Sequence, residues 1–384
     1  MADYLDYLDW RGDLTFAQSP LNEVDNYILC KLGCPDFTGI IPADGEIALS
    51  EAVAMYDEAL GDRDAEEVLG PLASPYIMPV IRRLPQTVRF GDLKVCDFVN
   101  IIDNVNSEQF SALTILLPDG TRFVTFRGTG DTIVSWKEDF LMGVEDTVPA
   151  QRDAVKYLLK ESRRSRRKLM VGGHSKGGNL AVYASMKMPP KVQARIISIY
   201  NNDGPGFRKD VSQTPEYLRI KPVLHTLVSQ HTTIGKLLHY EKDCTIVKSS
   251  QYGVGAHDGF NWEVWGTEFV RCDDFAFASK AFETAMNETL DTMNDDERRD
   301  FIENFFGRLT SSGAQTLSDL NEHKMREAAE LALGVRELPE VRKFVQRLST
   351  LLIQAAAAAS AQRISIPKPR LSFEFENPIN LLKE

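Results

Sequence analysis

A serine stands in the run Gly173-His174-Ser175-Lys176-Gly177-Gly178. The stretch Lys168-Leu169-Met170-Val171-Gly172 precedes it, and residues 179–188 follow with apolar side chains at helical spacing. A short buried strand, a sharp turn and a helix form the setting in which G-x-S-x-G presents a nucleophile. So tight a turn accepts only small neighbours. Gly173 and Gly177 supply them, and Gly178 lets the helix approach the strand. The hydroxyl then stands over a helix N-terminus, where developing negative charge is favoured. The segment lacks the Lys-Ser/Thr ending of a phosphate-binding loop, so it points to an activated hydroxyl rather than to a nucleotide.

Such a serine needs a base, an acid to orient that base, and donors for an oxyanion. Six histidines are available. His174 lies inside the turn on the strand side and reads as a packed, hydrogen-bonded residue. His225 falls in a strand, His231 and His239 between the last two strands, and His323 in a helical C-terminal part. His257 falls in Gly253-Val254-Gly255-Ala256-His257-Asp258-Gly259, just past the final strand. It is the leading candidate for the base, with His231 second. In this setting the chain order is serine, acid, base. Asp203 fits that order: it leaves the strand read at 195–200 and enters the turn Gly204-Pro205-Gly206. It is the candidate acid, although a turn aspartate can also cap its own backbone. The loop Ser229-Gln230-His231-Thr232, where the acid usually sits, holds no carboxylate, and Asp243 precedes its strand on the wrong edge. Candidate oxyanion donors are the N–H of Lys176 and the N–H and hydroxyl of Thr129, in the loop Phe126-Arg127-Gly128-Thr129. Trp136 and Asp139 follow in a helix-like segment, where they could buttress that loop.

These residues need a scaffold. Residues 1–85 read as short helices joined by turns, with helical spacing at 21–29 and again after Ser50. From residue 88 the period changes to two, predicting strands at 93–102, 110–117 and 122–126, with Pro118-Asp119-Gly120-Thr121 as a hairpin turn. A helix over 150–164 follows, then the serine's strand and helix, then strands at 195–200, 223–228 and 244–249. This alternation predicts a mainly parallel sheet covered on both faces, with an antiparallel edge. The expected division is a helical extension at 1–85, a core at 86–275, a helical region at 276–363 and an extended tail at 364–384. Within the third part Val335, Leu338, Val341, Phe344, Val345, Leu348, Leu351 and Leu352 form one apolar stripe, continued by alanines at 355–359.

Composition narrows the function classes. A net charge of −11 argues against nucleic-acid binding and against anionic membranes. The basic cluster Arg163-Arg164-Ser165-Arg166-Arg167-Lys168 reads as the cationic end of a helix. Five scattered cysteines do not make a disulfide framework. The histidines and acids lack paired ligand spacing, so neither a metal nor a cofactor is expected. The acidic start is no signal peptide, and no segment reaches the roughly 20 apolar residues of a membrane span. A cytoplasmic protein is expected, with peripheral membrane contact left open and the oligomeric state undetermined.

The order Phe126-Arg127-Gly128-Thr129, Trp136, Asp139 and then Gly173-His174-Ser175-Lys176-Gly177-Gly178 resembles the fungal-type class 3 lipase pattern over residues 110–190. That resemblance implies Ser175 as nucleophile and Thr129 as oxyanion residue. The wider chain resembles a bacterial family of lipase-like α/β-hydrolases carrying a domain of unknown function. The pieces that carry this are Asp9-Trp10-Arg11-Gly12-Asp13, Asn22-Glu23-Val24-Asp25, Trp136-Lys137-Glu138-Asp139-Phe140, Asp203-Gly204-Pro205-Gly206-Phe207 and His257-Asp258-Gly259-Phe260-Asn261-Trp262. It implies an α/β-hydrolase fold and supports Asp203 and His257, but supplies no substrate. The expectation is a serine hydrolase of the esterase or lipase kind, acting on a small-molecule or lipid ester. A thioesterase or peptidase would use the same groups. The rival is a non-catalytic module of the same fold that binds a lipid or protein partner through its C-terminal helices. The unusual position of the acid motivates it.

Overall fold

The computed structural model describes residues 3–70, 73–310, 315, 316 and single positions between 339 and 353. The apolar stripe at 335–352 falls mostly outside these residues, and the tail at 364–384 wholly so. Five helices come first: α1 (Tyr4–Arg11), α2 (Glu23–Lys31), α3 (Leu49–Leu60), α4 (Ala65–Leu69) and α5 (Ile77–Arg83), with a two-residue strand β1 (Ile47–Ala48) before α3. Asp3 and Asn22 start α1 and α2 with reciprocal capping boxes, so both helix origins are written in local sequence. Then come β2 (Lys94–Asp103), β3 (Glu108–Leu116) and β4 (Arg122–Phe126). Gly120 adopts φ 81° in the turn that joins the last two.

Helices and strands then alternate: α6 (Ile133–Leu141), α7 (Pro149–Arg164), β5 (Leu169–His174), α8 (Lys176–Lys187), α9 (Pro190–Gln193), β6 (Ile196–Asn202), α10 (Pro215–Ile220), β7 (Leu224–Ser229) and β8 (Thr245–Val247). A short turn of helix, α11 (Val254–His257), leads to the hairpin β9 (Val264–Trp265) and β10 (Glu268–Phe269). Helices α12 (Phe277–Asp291) and α13 (Asp295–Thr310) follow. That hairpin is absent from the sequence reading. Two-residue strands are too short to show a period, and only Gly266 at φ 62° marks the turn.

The first eight strands form one sheet in simple chain order, β1 to β8. Pairs up to β3–β4 are antiparallel, and β4 to β8 run parallel. This order has a physical consequence. Right-handed crossovers between sequential parallel neighbours place every connecting helix on the same face. Accordingly α7, α8 and α10 pack through Ala154, Leu158, Leu180, Ala184, Tyr217 and Ile220 with Val124, Val171 and Ile199. The opposite face would lie bare. The N-terminal helices fill it, with Val24, Tyr27, Ile28, Ile81 and Leu84 in one core with Leu113, Ile115, Phe123 and Tyr200. The result is an α/β-hydrolase fold, a mainly parallel sheet with an antiparallel edge between two helical layers. Among the described residues no helix is long and apolar enough to cross a membrane.

Candidate active site

The strand β5 ends at His174, and Ser175 is the hinge into α8. Its backbone sits at φ 58°, ψ −131°, a strained conformation for a residue with a side chain. The N–H of Ser175 donates to Asn202 O (3.0 Å), which ties the hinge to the neighbouring strand. The glycines explain why the hinge closes. A Cβ on Gly173 would overlap the Gly177 backbone, and one on Gly177 would overlap the carbonyl of Phe126. The end of β4 and the loop after it therefore lie directly against the start of α8. A Cβ built on Gly128 would stand 3.3 Å from that of Ser175.

Asp203 lies one residue beyond β6, fully buried, with φ 53°. Its Oδ2 accepts from His257 Nδ1 (2.7 Å) and from the Thr232 hydroxyl (2.9 Å), and Oδ1 accepts from the Ser229 N–H (3.3 Å). The end of β7 and the loop after it, which lack a carboxylate, thus contribute donors to one just beyond the adjacent strand. Gly235 makes the space, since a Cβ there would overlap Asp203 Oδ1. With Nδ1–H given to Asp203, Nε2 of His257 is left as the acceptor.

The His257 ring lies 4.6 Å, centroid to centroid, from that of His174, the residue before Ser175. The fold therefore joins Asp203 to His257 and brings His257 beside the elbow. Ser175 Oγ itself makes no hydrogen bond among the described residues. The runner-up groups lie elsewhere. His231 packs on the ring of Tyr252 (4.4 Å) and contacts Gln230. Asp243 is exposed near Lys221.

Neither Thr129 nor Lys176 spends its N–H on a hydrogen bond among the described residues. Lys176 is the first residue of α8, whose opening N–H groups have no partner inside the helix. The Thr129 hydroxyl, read from sequence as a further donor, is already given to Asp139. Asp139 is the buttress expected of it. Trp136 instead packs in a small core with Ile133, Val144, Ile302 and Phe306. The Lys176 side chain turns inward. Its buried ammonium donates to Gln109 O (3.1 Å) and Glu138 Oε2 (3.1 Å) and lies 3.5 Å from Asp139 Oδ1. Burial pushes the Asp139 carboxyl above the usual aspartate range, against the opposing pull of Lys176 and Thr129. Thr129, Asp139, Lys176 and Glu138 thus form one chain of contacts that fixes the loop relative to α8.

Sequence reasoning missed the back wall of the site, which α1 and α2 provide. The Tyr27 hydroxyl accepts from the Gly259 N–H (2.7 Å) and donates to Asp258 Oδ1 (3.1 Å), and the Tyr4 hydroxyl donates to Gly259 O (2.9 Å). Asn26 Nδ2 donates to Asn202 Oδ1 (2.9 Å). The signal lay in Asp25-Asn26-Tyr27, polar groups between apolar positions of the helix. Among the described residues no group of three or more His, Cys, Asp or Glu is placed to hold a metal.

The sequence model of the Mbeg1-like family matches residues 84–307, more than half of the chain. No curated protein matches. Among solved structures, the crystal structure of M37 lipase is similar at 16% identity and a TM-score of 0.32, over 42% of this chain. The chain covers 61% of that lipase.

Proposed function

We propose, from the premise that this chain belongs to the Mbeg1-like family, that it is a serine hydrolase of carboxylic esters working through an acyl-enzyme. Ser175 Oγ attacks the ester carbonyl while His257 Nε2 takes its proton. The new Oγ–C bond leaves a negative oxygen, which the N–H groups of Thr129 and Lys176 stabilise. The C–O bond to the alcohol then breaks, and His257 returns the proton to the leaving oxygen. Water repeats the sequence on the acyl-enzyme and frees the acid. Asp203 holds the imidazole in the tautomer this requires and stabilises its cation. Ser175 Oγ and His257 share no hydrogen bond among the described residues, and catalytic hydrogen bonds of this kind commonly tighten only with substrate bound.

The observation that carries this reading is the bond from His257 Nδ1 to a wholly buried Asp203 carboxylate, beside a serine in strained backbone. A carboxylate taken out of water is costly unless it is paired and hydrogen-bonded. Here three donors, and a glycine that makes room, serve it at a position that adds nothing to the apolar core. What sets this carboxylate apart from the structural anchor at Asp25 is its partner, an imidazole beside the elbow serine, and that supports the catalytic reading over a non-catalytic module.

A fluorophosphonate probe tests the reading directly. Ser175 Oγ would form a bond to phosphorus as fluoride leaves. Wild-type protein is expected to label and Ser175→Ala to stay unlabelled. A folded wild type that does not label sinks the proposal. Aryl esters of rising chain length, with and without detergent, then separate esterase from lipase.

A further inference from the structure

Lys31 closes α2 and is 6% exposed. A buried lysine is normally paired with an acid, yet no carboxylate lies within ion-pair range of it among the described residues. Its ammonium stands over the rings of Tyr27 (5.0 Å) and Phe260 (5.7 Å) and contacts His174 Nδ1 at 3.2 Å. An ammonium can only donate, so Nδ1 must be the acceptor and the proton of the neutral ring must sit on Nε2. From there it reaches the backbone carbonyl of His257 at 2.7 Å. We propose that Lys31 and His174 are positioning residues for the base: Lys31 selects the His174 tautomer that holds the His257 backbone in place. This rests on the serine-hydrolase reading above and extends it to a pair outside the Ser175, His257 and Asp203 set.

The other tautomer shows what the lysine prevents. With the proton on Nδ1, the Nε2 lone pair would face the His257 carbonyl oxygen, and that bond would be lost. The groups facing His174 are Lys31 and Tyr27 from α2 and His257 from α11, with Asp258 held behind Tyr27. Burial, helped by the charges of Lys31 and His257, keeps His174 neutral well below the usual histidine range. A ring that stays neutral and in one tautomer across the working pH suits a support, not a proton carrier.

The test compares Lys31→Met with Lys31→Gln in the full chain. Glutamine removes the charge but keeps an N–H for His174 Nδ1, whereas methionine keeps the length and removes the donor. Lys31→Met is expected to slow fluorophosphonate bond formation by about tenfold to a hundredfold, the scale of a small misplacement of a reacting group, with probe affinity unchanged. Lys31→Gln is expected to recover most of the rate. Nitrogen-15 NMR of the wild type should show His174 neutral, with its proton on Nε2. Equal rates and pH profiles for wild type and Lys31→Met overturn the role, as does a wild-type His174 protonated on Nδ1. The NMR result decides even if Lys31→Met does not fold. Failure of the hydrolase reading looks different: the wild type itself does not label.

Discussion

Asp203 differs from a surface aspartate in having no water to fall back on. Its two oxygens are shared among His257, Thr232 and Ser229, inside a pocket sealed where Gly235 has no side chain. Replacing it with asparagine keeps the volume but offers an amide, which can turn its NH₂ toward His257 and reverse the required tautomer. Asp203→Asn is therefore expected to lower the turnover of an aryl ester by on the order of 10⁴-fold with little change in folding. Steady-state kinetics beside a thermal melt checks this, and near-normal turnover would remove Asp203 from the mechanism. Ser175 and Asp203 were legible as candidates because each directly follows a strand end, and His257 because it lies in the glycine-marked loop beyond the last parallel strand. The Lys176 and Lys31 side chains were not. A lysine in a helix reads as a solvated charge, and only the assembled fold turns these two toward Glu138 and His174.

At the scale of elements, α2 packs behind the loop that carries His257, the proposed base, through Tyr27 and its contacts to Asp258 and Gly259. Its apolar spacing made the helix legible, but not that Val24 through Lys31 would all be buried. An amphipathic reading assigns Asp25 and Asn26 to solvent. The sheet's simple strand order instead leaves a face that α2 must cover, and its polar residues become anchors. Asp25 receives Arg89 and the Tyr7 hydroxyl, and Arg89 also donates to the carbonyls of Leu14, Ser19 and Pro20. Both charges are wholly buried. Losing one partner of such a pair strands the other, at a cost of about 3–5 kcal/mol. Arg89→Met is expected to lose stability on that scale in urea unfolding. Under conditions where it remains folded, it should label more slowly than the wild type, because α2 carries Tyr27 and Lys31. A stability loss below about 1 kcal/mol would show that Arg89 is dispensable to this anchor.

For the whole molecule, the fold sets two opposing dependences of stability on pH. His174, His225 and His231 are held below the ordinary histidine range, chiefly by burial. The unfolded chain binds their protons more readily, so these residues withdraw stability as pH falls through the value of about 6.5 that a free histidine has. Glu108 works the other way. Burial, then a hydrogen bond to Asp153 and the charge of that carboxylate, raise it from 4.5 to about 7. Between those limits the folded chain holds a proton that the unfolded chain has released, so stability falls as pH rises from 4.5 to 7. Across this window the two effects offset each other. Glu108→Gln removes the Glu108 part of the second effect, leaving that of Asp139, whose carboxyl is also raised by burial, and leaving the histidine effect intact. The variant should match the wild type near pH 4.5, exceed it in stability above pH 7, and show a steeper rise of stability with pH in between. Urea unfolding of both proteins across that range measures the difference. A variant no more stable than the wild type above pH 7 would mean that Glu108 gives up its proton without penalty, and that its pairing with Asp153 does not strain the folded chain.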